Sequence, residues 1–132
     1  MNYIQKLQEH QLKATPQRLL IVENLDKHGH MNIDDLYIKL KKSFPSLSLA
    51  TIYKNINLMI EKLFISEVKI PNQKSVYELT KAEHAHMVCA SCGTIMDVTL
   101  DIAPLAHQAQ NLTHFQITEA NVVLSGLCPN CQ

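Results

Sequence analysis

Two Cys-x-x-Cys pairs, Cys89-Ala90-Ser91-Cys92 and Cys128-Pro129-Asn130-Cys131, constrain this chain more than any other feature, because they contain all four of its cysteines. Each pair bends the backbone around one face of an ion, with Gly93 easing the first turn, and two such hooks complete a tetrahedral four-thiolate shell. The spacing therefore predicts a structural Zn2+ held by Cys89, Cys92, Cys128 and Cys131. Two disulfides would instead require an oxidising compartment, and the charged N-terminus from Asn2 to His10 lacks the apolar run of a secretion signal. No stretch is long and apolar enough to span a bilayer. The expectation is a cytoplasmic protein without a membrane partner.

A chain of 132 residues without tryptophan can hold one medium domain or two aliphatic small ones. Charge favours two. The formal net charge is zero, yet all twelve Lys and Arg lie at or before Lys81, where only eight acids accompany them, and the remaining four acids follow. A basic front half joined to an acidic half rich in Cys and His suggests a polyanion-binding module attached to a metal-binding one. The expected class is α+β, with residues 1–80 as a winged helix-turn-helix DNA-binding domain. Residues 81–84 would form a hinge, and residues 85–132 a small α/β dimerisation domain carrying the four-cysteine zinc site.

Within the front half, a short helix is expected over Tyr3 to Glu9 with Ile4 and Leu7 as its apolar stripe. Thr15-Pro16 then reads as a cap followed by a first helical position where the missing N–H costs nothing. That helix, with Leu19, Leu20, Val22 and Leu25 for the core, should stop at Gly29. Asn32 caps a third, whose contacts come from Leu36, Ile38 and Leu40 and which Phe44-Pro45 ends. Ser46 or Ser48 caps a fourth with Leu49, Ile52, Ile56, Met59, Ile60 and Leu63 on one face. The opposite face offers Ala50, Thr51, Lys54 and Asn57, with Tyr53 at the boundary. Hydroxyl, amide and basic groups so placed suit a helix in a DNA major groove. Phe64 to Ile70, a turn at Pro71 to Lys74, and Ser75 to Leu79 read as a hairpin wing.

In the rear half, Ala85 to Val88 and Thr94 to Thr99 read as strands around the first knuckle. Asp101 to Leu112 reads as a helix capped by Asp101 with Pro104 in its first turn, and Phe115 to Leu127 as a last strand region. So little core suggests pairing with a second copy. His84 and His86, two positions apart on one strand face, offer converging imidazoles. Glu78 and Asp97 lie on other predicted strands, and His28 and His30 lie in a loop of the front half. If one of those histidines reached across, a bound ion would tie the two modules together and turn occupancy into shape. Imidazole with carboxylate suits Fe2+, Mn2+ or Zn2+.

These residues resemble the ferric uptake regulator family, over essentially the whole chain. The resemblance is carried by Leu12-Lys13-Ala14-Thr15-Pro16-Gln17-Arg18, Asp34-Asp35-Leu36-Tyr37, Ser48-Leu49-Ala50-Thr51-Ile52-Tyr53-Lys54-Asn55 and His84-x-His86-x2-Cys89-x2-Cys92. The front of the chain and Glu83-His84-Ala85-His86 look most like the family's peroxide-sensing PerR branch. The resemblance implies a homodimeric repressor that binds a double-stranded DNA operator when a sensing ion is bound. It implies Cys89, Cys92, Cys128 and Cys131 as structural zinc ligands, and His30, Glu78, His84, His86 and Asp97 as the regulatory Fe2+ or Mn2+ shell. Tyr53 matches a recognition-helix tyrosine, and Lys13 and Arg18 match positions that approach DNA, beside Thr51, Lys54 and Asn57 from the helix face. His30 and His84 would be the oxidation targets of a peroxide sensor. Glu78 stands where peroxide sensors usually carry Asp, which favours an iron-level sensor. Ala85 and Ala120 replace donors of a third site, so one zinc and one regulatory ion per subunit are expected.

Two other classes compete. A zinc hydrolase or nucleotide deaminase would use the same residue types, but a deaminase needs His-x-Glu with Pro-Cys-x-x-Cys, and here the order is Cys128-Pro129-Asn130-Cys131. A four-thiolate shell also leaves no position for water. A zinc-clipped module that uses its winged helix to bind protein is the other, and the basic front half argues against it.

Overall fold

The computed structural model describes residues 2–132 and forms two compact units, one ending at Thr80 and the other spanning Lys81–Gln132. The first contains α1 (Tyr3–Glu9), α2 (Pro16–His28), β1 (Met31–Asn32), α3 (Ile33–Ser43), α4 (Leu49–Glu61), β2 (Ile65–Val68) and β3 (Val76–Leu79). The second contains β4 (Ala85–Cys89), β5 (Ile95–Val98), α5 (Ala103–Thr113) and β6 (Val123–Gly126). The architecture is α+β, with a winged helix in the first unit.

Local chemistry sets the helix ends of the first unit. Asn2, Thr15, Asn32 and Ser48 each accept, through a side-chain oxygen, the N–H three residues on, which satisfies an amide with no helical partner. At the other end of α2, Gly29 takes φ 80° and donates its N–H to the Leu25 carbonyl, a left-handed backbone that suits glycine. Leu7, Ile21, Val22, Leu25, Leu36, Leu40, Ile52, Ile56 and Met59 meet in one aliphatic core. Each such side chain contributes roughly 1.5–3 kcal/mol by leaving water.

Several expectations fail in detail, because helical phase and helix ends are set by three-dimensional packing rather than by the local apolar stripe. Ile4 and Ile38 face solvent at 50% and 58% exposure, while Ile21 and Ile33 take core positions. Leu63 lies beyond α4 with φ 61° and is 73% exposed, and Leu49 is also exposed. His28 ends α2 rather than lying in a loop.

The hairpin gains a third strand: β1 pairs antiparallel with β3, and β3 with β2, in the order β1-β3-β2. β1 is only two residues long, too short to leave an alternation signal.

The second unit has the strand order β5-β4-β6, with β4–β5 antiparallel and β4–β6 parallel. Asp101 does not cap α5; Ile102 occupies that position without a side-chain cap bond. The last strand is confined to Val123–Gly126 rather than beginning near Phe115. Replacing Ile56, at the centre of the first core, by Ala should lower unfolding free energy by roughly 2–5 kcal/mol. The exposed Ile38→Ala should stay within about 0.5 kcal/mol of the parent in the same chemical denaturation.

Candidate metal centres and the α4 face

Parallel pairing of β4 with β6 places Cys89 opposite Gly126, and Ala90 donates its N–H to the Gly126 carbonyl at 2.7 Å. Cys128, two residues past β6, is thereby brought to the first knuckle and donates its N–H to Cys89 Sγ at 3.4 Å. The thiols of Cys89, Cys92, Cys128 and Cys131 all lie within 4.8 Å of one another, and none is in a disulfide. Cys92 and Cys128 sulfurs stand 3.8 Å apart. A disulfide needs about 2.05 Å, whereas the edge of a tetrahedron with metal–sulfur bonds near 2.3 Å is about 3.8 Å. The site thus fits one four-coordinate thiophilic ion. Hydrogen bonds from the Cys92 and Cys128 N–H groups lower the Cys89 thiol to about 6, and the Cys128 side chain raises Cys131 to about 11.

His86 lies directly opposite Asp97 in the β4–β5 register, so their side chains share one face, and His84 is two residues before His86. The Nε2 atoms of the two imidazoles are 3.1 Å apart, and Asp97 Oδ1 is 3.5 Å from His86 Nε2 and 3.7 Å from His84 Nε2. The Ala82 carbonyl accepts a 2.8 Å hydrogen bond from His84 Nδ1, which fixes the tautomer and leaves Nε2 its lone pair. Two imidazole nitrogens and a carboxylate oxygen so gathered are a partial ligand set for a divalent ion. Lys81 Nζ pairs with the other Asp97 oxygen, Oδ2.

In the first unit, His30 Nε2 meets Glu78 Oε2 at 2.9 Å. Glu78 is 3% exposed and sits on β3 opposite Ser66. A carboxylate buried that deeply needs strong donors or a cation.

On α4, Ile52, Ile56 and Met59 are buried, while Tyr53, Lys54 and Asn57 are exposed and Thr51 is half-buried. Lys13 is exposed beside α2. Arg18 is half-buried; its Nε donates to Asn55 Oδ1 at 3.0 Å and its Nη1 to the Lys13 carbonyl at 3.0 Å. Asn55 in turn donates to the Thr51 carbonyl at 3.2 Å. This network ties α2 to α4.

The pattern of the Ferric uptake regulator family matches residues 9–125. The chain belongs to the ferric uptake regulator family. It is 30% identical over 131 residues to a peroxide-responsive repressor PerR of Staphylococcus saprophyticus, covering 98% of this chain and 88% of that one. A solved peroxide stress regulator of Campylobacter jejuni is 39% identical, covers 99% of this chain and 100% of that one, and superposes with a TM-score of 0.72. The Vibrio cholerae ferric uptake regulator is 29% identical across 95% of this chain and 98% of that one, also at 0.72.

Membership in the ferric uptake regulator family sets the enzyme readings aside: the chain is a transcription regulator, not a hydrolase or deaminase. Regulators of this family bind DNA and metal ions. Among the described residues no helix is long and apolar enough to cross a membrane. Two participants escaped the sequence reading. Lys81 belongs to no motif, and Asn55 was visible only as part of Ser48-Leu49-Ala50-Thr51-Ile52-Tyr53-Lys54-Asn55, with no signal for its bond to Arg18. Asn55→Ala, which removes the acceptor of Arg18 Nε and leaves only the Lys13 carbonyl on Nη1, should cost roughly 1–3 kcal/mol of stability in denaturation. Asn57→Ala, on the exposed face, should stay within about 0.5 kcal/mol.

Proposed function

We propose that this chain is a cytoplasmic, homodimeric repressor whose grip on an operator is switched by one regulatory ion, and that it responds to peroxide. The observation that carries the reading is the His84, His86 and Asp97 group. It stands apart from the four thiols and supplies too few donors to satisfy an ion alone. His30 and Glu78 in the first unit offer the remainder. The proposed division is a DNA-binding domain over residues 1–80, a hinge at 81–84 and a zinc-clipped dimerisation domain over 85–132.

Each group has a distinct task. Cys89, Cys92, Cys128 and Cys131 hold Zn2+, which stabilises a unit with little core of its own. That unit exposes Met87, Met96, Leu105, Leu112, Phe115, Leu124 and Leu127, apolar surface that a second copy would cover. Fe2+ or Mn2+ at His30, Glu78, His84, His86 and Asp97 draws donors from both units, so its binding favours the arrangement in which they converge. Lys13, Arg18, Thr51, Tyr53, Lys54 and Asn57 face the duplex. Lys and Arg meet phosphates, and Tyr53 and Thr51 meet base edges in the major groove.

Bound ferrous iron supplies peroxide-cleaving chemistry, and His30 and His84 are the imidazoles that would take up oxygen. Similarity to the Staphylococcus saprophyticus and Campylobacter jejuni peroxide regulators supports this choice. Glu78, one methylene longer than Asp, favours a second reading, an iron-level sensor. Operator binding by Fe2+-loaded and Mn2+-loaded protein, before and after a low dose of hydrogen peroxide, separates them. The expected result is that only the iron form releases DNA and gains an oxygen on His30 or His84 by mass spectrometry. Release by neither form, with no histidine oxidised, selects the iron-level sensor.

The two ion sites should also separate by mutation. His84→Ala is expected to leave a folded, zinc-containing dimer whose DNA affinity no longer rises with added Mn2+, whereas Cys92→Ala loses zinc and the dimer. Identical behaviour of the two variants in metal analysis and sedimentation would contradict the division.

A further inference from the structure

The two oxygens of Asp97 do different things. Oδ1 faces the imidazoles of His84 and His86, at 3.7 and 3.5 Å from their Nε2 atoms, whereas Oδ2 is taken by the ammonium of Lys81. Lys81 opens the second unit, just before a bend at Ala82 and Glu83 that leads to His84, and its side chain is about half exposed. We propose that Lys81 is a positioning residue for the regulatory ion: by holding Oδ2 it limits Asp97 to a single oxygen, Oδ1, as a ligand.

The argument is one of charge and space. A carboxylate that gave both oxygens to one divalent ion would bring the ammonium on Oδ2 up against that ion, and the two cations repel strongly at such separations. As long as the ammonium keeps its partner, Asp97 ligates through Oδ1 alone. One coordination position is then left to another donor or to a small ligand. The pair resembles the outer partners that orient metal-ligating side chains elsewhere, with the difference that this partner carries positive charge and so also opposes the ion. An exposed ion pair of this kind contributes little to stability. Its removal should therefore alter the ion's surroundings without unfolding the chain.

The inference rests on the proposed role of His84, His86 and Asp97, and its test separates the two. Zinc-loaded full-length protein is titrated with Co2+, whose visible d–d absorption weakens as ligands are added, and in parallel with Mn2+. In Lys81→Met the Co2+ band should lose intensity as Asp97 gains its second oxygen. The Mn2+ Kd should fall roughly tenfold through the added oxygen and the lost repulsion. Lys81→Arg, which keeps a cation on Oδ2, should behave like the parent. An unchanged band with unchanged or weaker Mn2+ binding in Lys81→Met overturns the role of Lys81. A parent Co2+ band that survives His86→Ala overturns the assignment of the ion site itself, and the inference with it.

Discussion

Taking a carboxylate or an imidazole out of water costs several kcal/mol unless a cation or strong donors replace the solvent. Glu78 and His86 are each only 3% exposed. Glu78 lies against His30, and His86 against His84 and, across the strand pair, Asp97. An apolar core would be served by apolar residues at these places. What the chain keeps instead is two small sets of oxygen and nitrogen donors, one in each unit. On the proposed reading, a divalent ion offsets the burial of both sets at once. On that proposal, the same requirement that makes these residues costly without an ion is what would couple ion binding to DNA binding.

The second unit obeys a related constraint. None of the residues of α5 is buried, and much of the apolar surface of the strands faces outward. Its cohesion comes from the β5-β4-β6 ladder and from four thiols gathered where that ladder ends. Small units of this kind depend on a metal clip or on a partner, because too little apolar area leaves water on folding. The first unit has an aliphatic core running through four helices and can hold the α4 face rigid by itself, with the Arg18–Asn55 bond bracing it from α2.

What could be read from sequence follows from which interactions are local. Thr15-Pro16, Asn32 and Gly29 act within a single turn of backbone, so helix ends were legible. The closeness of the two cysteines within each knuckle and of the His84 and His86 imidazoles was legible because spacings of two or three residues are local geometry. Ile4 and Ile38 were misplaced because a short apolar stripe admits several helical phases, and only the packing of α1 and α3 against α2 chooses among them; Leu63 was misplaced because α4 ends at Glu61, before it. β1 and the parallel pairing of β6 with β4 arise from contacts between distant segments. The bond from Lys81 to Asp97 was illegible for the same reason: sixteen residues separate the partners, and neither identity predicts the other.

The central claim is that ion binding and DNA binding act on one shared equilibrium, and its most direct test is reciprocity. Thermodynamic linkage requires that if Mn2+ tightens the hold on an operator by some factor, the operator tightens the hold on Mn2+ by the same factor. Mn2+ affinity should be measured for zinc-loaded protein alone and in complex with operator duplex, alongside operator affinity with and without Mn2+. Equal factors well above one are the predicted result. A Mn2+ affinity indifferent to DNA would contradict the account.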